Sequence, residues 1–270
     1  MAEISAGLVK ELREMTGLPM MECKKALAET GGDLKKAEEL LRIKSGARAS
    51  KAAGRIAAEG TIGSFVSPDA RLGALVEVNC ETDFVARNDD FIAFAKSLAE
   101  IAAARDPGAA EEDQRQKLVQ KIGENITIRR FKRVQAKGRL ALYVHAGSKI
   151  GALVDCEGPE EVGKDVAMHI AFAKPRYLGK GEVPQEIVSG ERKIQEARAR
   201  ESGKPAEIAA KMVEGALNKF LGEITLLGQP FIKDDKQTVE KMLAARKAKV
   251  HGYAFLVVGE GIDKAGTSVH

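Results

Sequence analysis

The run Gly73-Ala74-Leu75-Val76-Glu77-Val78 returns later in the chain as Gly151-Ala152-Leu153-Val154-Asp155-Cys156. Each copy opens on glycine, continues through apolar residues and carries an acid at the fifth place. The first copy belongs to a hairpin, residues 60–66 turning across Ser67-Pro68-Asp69-Ala70 into 72–78. The second belongs to another, residues 139–145 turning across Ala146-Gly147-Ser148-Lys149 into 150–156. A helical period follows each. Phe91-Ile92-Ala93-Phe94-Ala95-Lys96 answers loosely to Met168-His169-Ile170-Ala171-Phe172-Ala173-Lys174. A strand–strand–helix unit is therefore duplicated, and the chain is expected to be α+β with small antiparallel sheets.

The two copies differ most where strand passes into helix. The first has Glu81-Thr82-Asp83-Phe84, the second Gly158-Pro159-Glu160-Glu161. Strand-to-helix junctions are where a scaffold presents functional side chains. Only one junction sets an acid, Asp83, beside a large apolar ring, Phe84, so that stretch is the candidate tip.

With 44% hydrophobic residues but only 4% aromatic and no Trp, the core must be built from Ala, Leu, Ile and Val. The 43 basic and 39 acidic residues are interspersed and leave a net charge of +4, short of the basic field of a nucleic-acid binder. Three scattered cysteines, Cys23, Cys80 and Cys156, fit reduced thiols. Residues 1–10 lack the pattern of a signal peptide, and no uncharged apolar run nears the ~20 residues that span a bilayer. A soluble cytoplasmic protein is expected.

Residues 1–45 read as three short helices. Ser5 caps the first, whose apolar positions are Leu8, Leu12 and Met15. Thr16-Gly17-Leu18-Pro19 turns into a second with Met20, Met21, Ala26 and Leu27. Gly31-Gly32-Asp33 leads to a third with Leu34, Ala37, Leu40 and Leu41. So small a core is marginal alone. The unit is either a structural appendage or a docking module with Met20 and Met21 as adaptable contacts. Adjacent methionines cannot both face one helical core, so one is expected at the surface.

The organisation expected is a docking domain at 1–45, a small, basic, Gly-punctuated linker at 46–58, a first core subdomain at 59–137, and the first part of a second at 138–181. Two charged helices at 182–228 form an antiparallel arm that serves as spacer or interaction surface. Residues 229–270 complete the second subdomain and end in a polar, frayed tail. Arg129, Arg130, Lys132 and Arg133 crowd one strand: a charge-guarded edge, or else a phosphate-contacting ribbon.

Catalytic patterns are missing. His145, His169, His251 and His270 are scattered and share no metal-ligand spacing with cysteine. There is no P-loop and no Gly-x-Ser-x-Gly elbow. A lone Asp83 with no evident partner is a weak base. A binding protein with several contacts is expected; an RNA-binding accessory using Arg129 to Arg133 and the linker's Arg48, Lys51 and Arg55, or a hydrolase using Asp83 and His169, are the alternatives.

Four motifs then carry a resemblance. They are Thr16-Gly17 with Met20-Met21-x-Cys23-Lys24-Lys25-Ala26-Leu27 and Gly32-Asp33; Thr82-Asp83-Phe84-Val85-Ala86-Arg87-Asn88; Met168-His169-Ile170-Ala171 with Lys174-Pro175; and Gly203-Lys204-Pro205 with Leu227-x-Gln229-Pro230-Phe231. Together they resemble the bacterial elongation factor Ts family over nearly the whole chain. Gly215-Ala216-Leu217-Asn218-Lys219-Phe220 departs from it, since the family often has Gly-Arg before its Lys-Phe; the departure bears on arm contacts alone.

The resemblance implies a ubiquitin-associated-like N-terminal domain, a duplicated α+β core and a projecting antiparallel coiled-coil hairpin. It implies a guanine nucleotide exchange factor, not an enzyme, whose partner is elongation factor Tu in GDP-bound and nucleotide-free states. No cofactor, metal, nucleic acid or membrane is implied. Thr82, Asp83, Phe84 and Val85 would dislodge the partner's Mg²⁺, with Phe84 as the wedge. Leu12, Met20 and Met21 would dock on the partner's nucleotide domain, and the region of His169 and Ile170 on another. The arm is free to pair with a second copy or to pack on its own core.

Overall fold

The computed structural model describes residues 4–145 and 147–263. Residues 1–3 of the expected docking domain, Ala146 of the second turn, and 264–270 of the expected frayed tail, His270 included, lie outside the described residues.

Three helices open the chain: α1 (Ala6–Thr16), α2 (Met20–Glu29) and α3 (Leu34–Ala52). Ser5 Oγ accepts the Leu8 N–H and starts α1, and Gly17 closes it in the left-handed region at φ 68. Asp33 caps α3 by accepting the Lys36 N–H at 3.0 Å. Val9, Leu12, Leu18, Cys23, Ala26, Leu27, Ala37 and Leu41 fill the space between these helices.

The first core unit follows as β1 (Glu59–Val66), β2 (Leu72–Cys80), the single-turn α4 (Asp83–Ala86), α5 (Asp89–Ala104), α6 (Ala109–Ile122) and β3 (Thr127–Gln135). The second has β4 (Arg139–His145), β5 (Ile150–Glu157) and α7 (Glu160–Ala173). A helical hairpin comes next, α8 (Gln185–Glu201) and α9 (Ala206–Ile224). The chain then closes through β6 (Pro230–Phe231), β7 (Asp234–Thr238), α10 (Val239–Ala245) and β8 (Lys249–Val257). The fold is α+β, as the duplication predicts. No helix among the described residues is long and apolar enough to cross a membrane.

Each unit builds a three-stranded antiparallel sheet, in the orders β1-β2-β3 and β4-β5-β8. The repeated hexapeptides are the central strands. One face of the first sheet packs on α5 through Ala74, Val76, Phe91, Ala95 and Leu98. One face of the second packs on α7 through Ala152, Val154, Val166 and Ile170. The other faces meet each other through Ile62, Leu75, Leu153 and Leu256. The glycine that opens each hexapeptide permits this approach. A Cβ on Gly73 would lie 2.8 Å from Leu140 Cδ1 of the opposite unit, and one on Gly151 2.8 Å from Ile62 Cγ2.

Helix α3 differs from expectation. The linker foreseen at 46–58 is helical as far as Ala52, and Ala49 and Ala52 are buried in the core of the first unit. The small residues that suggest a flexible tether instead let α3 lie against α6. A Cβ on Gly46 would come within 3.2 Å of Gln116 Oε1. Ser45 Oγ bonds Gln120 Oε1, and Gln120 Nε2 donates to Glu22. Arg48 pairs with Glu22 at 2.6 Å. Helices α2 and α3 are thus braced on α6.

Three of the four basic residues of β3 are satisfied from within. Arg129 and Arg130 reach the buried Glu77 carboxylate at 2.9 and 2.6 Å. Arg133 Nε donates to the Ala102 carbonyl at 2.5 Å, and its guanidinium pairs with Asp106 at 2.8 Å. These cations hold β3 in place and are not displayed for phosphate.

Candidate functional site

The tip between β2 and α5 is a capped single turn. Thr82 has extended backbone (φ −120, ψ 156), and its hydroxyl accepts the Val85 N–H at 3.3 Å. Asn88 then caps α5, accepting from Asp90 and Phe91 N–H at 3.0 and 3.2 Å. Two caps only six residues apart leave room for one helical turn, α4, which carries Asp83, Phe84 and Val85.

Phe84 is 82% exposed, the most exposed of the large hydrophobic side chains described. Ala86 is buried beneath the turn, and Val85 packs partly against the same core. One side of α4 is therefore anchored while the ring stands in solvent. Asp83 pairs with Arg87 at 3.0 Å across the turn, both side chains largely exposed. Exposed pairs of this kind contribute roughly 0–1 kcal/mol, so the pair yields readily to a competing partner. Below the tip, burial and the nearby Glu124 charge push the Cys80 thiol up to about 12, and it stays protonated.

The other expected docking residues divide by exposure. Met20 and Met21 are both solvent-exposed, at 51% and 61%. One was expected there; α2 turns its Cys23, Ala26 and Leu27 face inward and leaves its first turn outside. Met15 on α1 and Ile43 on α3 are exposed as well. Leu12, by contrast, is wholly buried and supports this surface from beneath.

His169 and Ile170 are likewise buried, at 1% and 0%, and offer no surface to a partner. The α7 helix points both at the second core, where His169 fastens the return from the arm. Its Nδ1 accepts the Ile232 N–H at 3.2 Å, which places the ring proton on Nε2, 3.0 Å from Gln229 Oε1. Burial holds its pKa below the ordinary value against the Gln229 hydrogen bond. With both nitrogens occupied, His169 is not available as a base for Asp83, and the hydrolase alternative has no geometry behind it. The exposed groups nearby are Phe172 and Ile232. Phe172 meets the His145 ring edge-on at 4.7 Å between centroids, and Tyr143 Oη lies 2.9 Å from His145 Nδ1.

Sequence reasoning missed this aromatic edge and also missed Glu124, whose carboxylate grips the base of the tip. The available signal was Gly123: a glycine ending a helix turns the chain sharply, and the residues after it are aimed at whatever lies beside the helix end.

Comparison with known proteins accords with this geometry. The family model described as Elongation factor TS matches residues 81–260, from the base of the tip to the end of the second sheet. The chain belongs to the elongation factor Ts family. Elongation factor Ts of Azoarcus sp. (strain BH72) is 56% identical over 280 aligned positions, covering 99% of this chain and 94% of that protein. Elongation factor Ts of Bordetella petrii is 57% identical, covering 98% and 94%. Elongation factor Ts of Chromobacterium violaceum is 56% identical, covering 98% and 95%. The family's name sets the chain in translation elongation.

Proposed function

We propose that the chain is a guanine nucleotide exchange factor that binds GDP-loaded elongation factor Tu, disturbs its Mg²⁺ site and releases GDP. The observation that carries the reading is Phe84, an exposed ring on an anchored turn beside Asp83. The ring enters an apolar pocket of the partner, and Asp83 exchanges its pairing with Arg87 for hydrogen bonds there. The partner's Mg²⁺ neutralises much of the diphosphate charge, so loosening its ligands weakens GDP.

Magnitudes divide the labour. A ~10⁴-fold acceleration of release lowers the barrier by about 5.5 kcal/mol. Burying one Phe contributes roughly 1.5–3 kcal/mol. Docking elsewhere supplies the remainder, and the exposed Met15, Met20 and Met21 surface and the Phe172 and Ile232 surface are the candidates. Leu12, His169 and Ile170 act by supporting these surfaces. Coupling is reciprocal: a factor that weakens GDP is itself weakened by GDP to the same extent, and nucleotide rebinding sends it off. The work is binding throughout, with no bond made or broken in this chain.

The test is release of fluorescent GDP from elongation factor Tu with wild type and Phe84→Ala. The variant is expected to be about 10- to 100-fold slower, the rate equivalent of losing one buried ring. Its thermal stability should match wild type, because the ring is 82% exposed in the free protein. A variant as fast as wild type sinks the wedge reading.

A further inference from the structure

Helix α6 ends at Gly123, which is left-handed at φ 90 and turns the chain toward the base of the tip. Glu124 follows, and its carboxylate is fully engaged there. Oε2 accepts the Glu81 and Thr82 N–H groups, each at 3.0 Å, and Oε1 accepts the Thr82 hydroxyl at 2.6 Å. The grip is mutual, for Glu81 accepts the Asn125 N–H and pairs with Arg55 at 3.2 Å.

The direction of these bonds matters. Thr82 gives its hydroxyl proton to Glu124, so a lone pair remains aimed at Val85 N–H, the capping bond of α4. A four-residue helix has no stability of its own, since one turn costs more order than its hydrogen bonds return. Val85 and Ala86 seat one side of α4 on the core by packing, but no polar side chain of α4 bonds to another element among the described residues: the Asp83–Arg87 pair stays within the junction. Apart from that packing, the turn that carries Phe84 is fixed by its cap at Thr82, and Thr82 is held by Glu124.

We infer that Glu124 is a positioning residue of the exchange tip, holding α4 folded and Phe84 outward before the partner arrives. The inference rests on the exchange-factor reading. It touches neither partner nor nucleotide; its contribution is to remove the ordering cost of the tip from the step that dislodges Mg²⁺. The anchorage extends further. Gln120, one turn earlier on α6, holds Glu22 of α2 and Ser45 of α3. One helix end therefore ties the tip to the helices that present Met20 and Met21.

The experiment compares wild type, Glu124→Ala and Glu124→Gln. GDP release from elongation factor Tu is followed against factor concentration, and amide hydrogen exchange is measured on each free protein. For Glu124→Ala the saturating rate should fall about tenfold, about 1.4 kcal/mol, with the half-saturating concentration moving less than about twofold, since the docking surfaces are intact. Amides of Glu81, Thr82 and Val85 should exchange faster. Glu124→Gln keeps an acceptor for the two backbone N–H groups and should recover most of both losses. A wild-type saturating rate in Glu124→Ala, a loss confined to the half-saturating concentration, or unchanged amide protection overturns the inference. If wild type itself fails to speed GDP release, the exchange reading falls instead, and the amide protection then judges the clamp by itself.

Discussion

Glu77 and Asp155 hold matching places on β2 and β5, both buried, and each fastens a different seam. Glu77 accepts from Arg129, Arg130, Asn79 and the Gly259 N–H, joining β3 and the chain after β8 to the first sheet. Asp155 accepts the Lys137 and Gly138 N–H groups at 2.8 and 2.9 Å, joining the connection between the two sheets to the second. The acid at the fifth place of the repeat is thus a fastening in both copies.

Removing the Glu77 carboxylate strands two arginines beside the core. Glu77→Ala should cost about 3–5 kcal/mol, the range for breaking a buried ion pair from one side, read by denaturant unfolding. Burial alone would raise the Glu77 pKa, but hydrogen bonds from Gly259, Arg130, Arg129 and Asn79 outweigh it and hold the carboxyl below its ordinary 4.5. A depressed carboxylate contributes fully above the ordinary value and loses that contribution as pH falls through the folded value. Wild-type stability should therefore decline below about pH 4.5 more steeply than that of Glu77→Ala. Parallel declines would show that this carboxylate is not the group being titrated.

Close approach at two glycines gives a graded comparison. A Cβ on Gly151 would press on the ends of Ile62 and Leu75, at 2.8 and 3.1 Å. One on Gly63 would lie 2.0 Å from the Ala95 carbonyl oxygen, which is backbone of α5. Side-chain ends can shift and a helix backbone cannot shift locally. Gly151→Ala should cost about 1–3 kcal/mol as overpacking, and Gly63→Ala clearly more. Equal losses of melting temperature in the two variants would contradict this account of how α5 seats on β1.

His169 makes a separate prediction in a different pH range. Burial favours its neutral form, so the folded pKa lies below the ordinary 6.5. The unfolded chain then binds the extra proton first, and stability falls as pH drops from about 6.5 toward the folded value. Urea unfolding should show this slope in wild type and lose it in His169→Gln. An unchanged slope in the variant would assign it to another group.

The helical and strand periods were legible wherever they depend on neighbours in the chain. The duplication located both central strands and the junction that carries Phe84, and Ser5, Asp33 and Gly17 announced helix ends by local chemistry. The first part of 46–58 is helix and not tether, and the sequence does not separate the two because Gly46, Ala47 and Ala49 look alike in a tether and in a close helix contact. Leu12, His169 and Ile170 lie on helices whose period is legible, but motif likeness does not say which way each side chain faces, and all three are buried. Glu124 escaped notice because its partners lie 42 and 43 residues away in sequence.

What the sequence determined by itself is the repeated strand–strand–helix unit and the single junction with an acid and a ring. Both follow from side-chain period and capping, which act over a few residues. Tertiary structure alone decided what stands in solvent and what holds it there. Phe84 stands outside above Thr82, which is gripped from the far end of α6, and His169 lies inside, where Gln229, 60 residues on, meets it in the second core. Burial and long-range hydrogen bonds depend on where distant segments come to rest, and no local pattern encodes that.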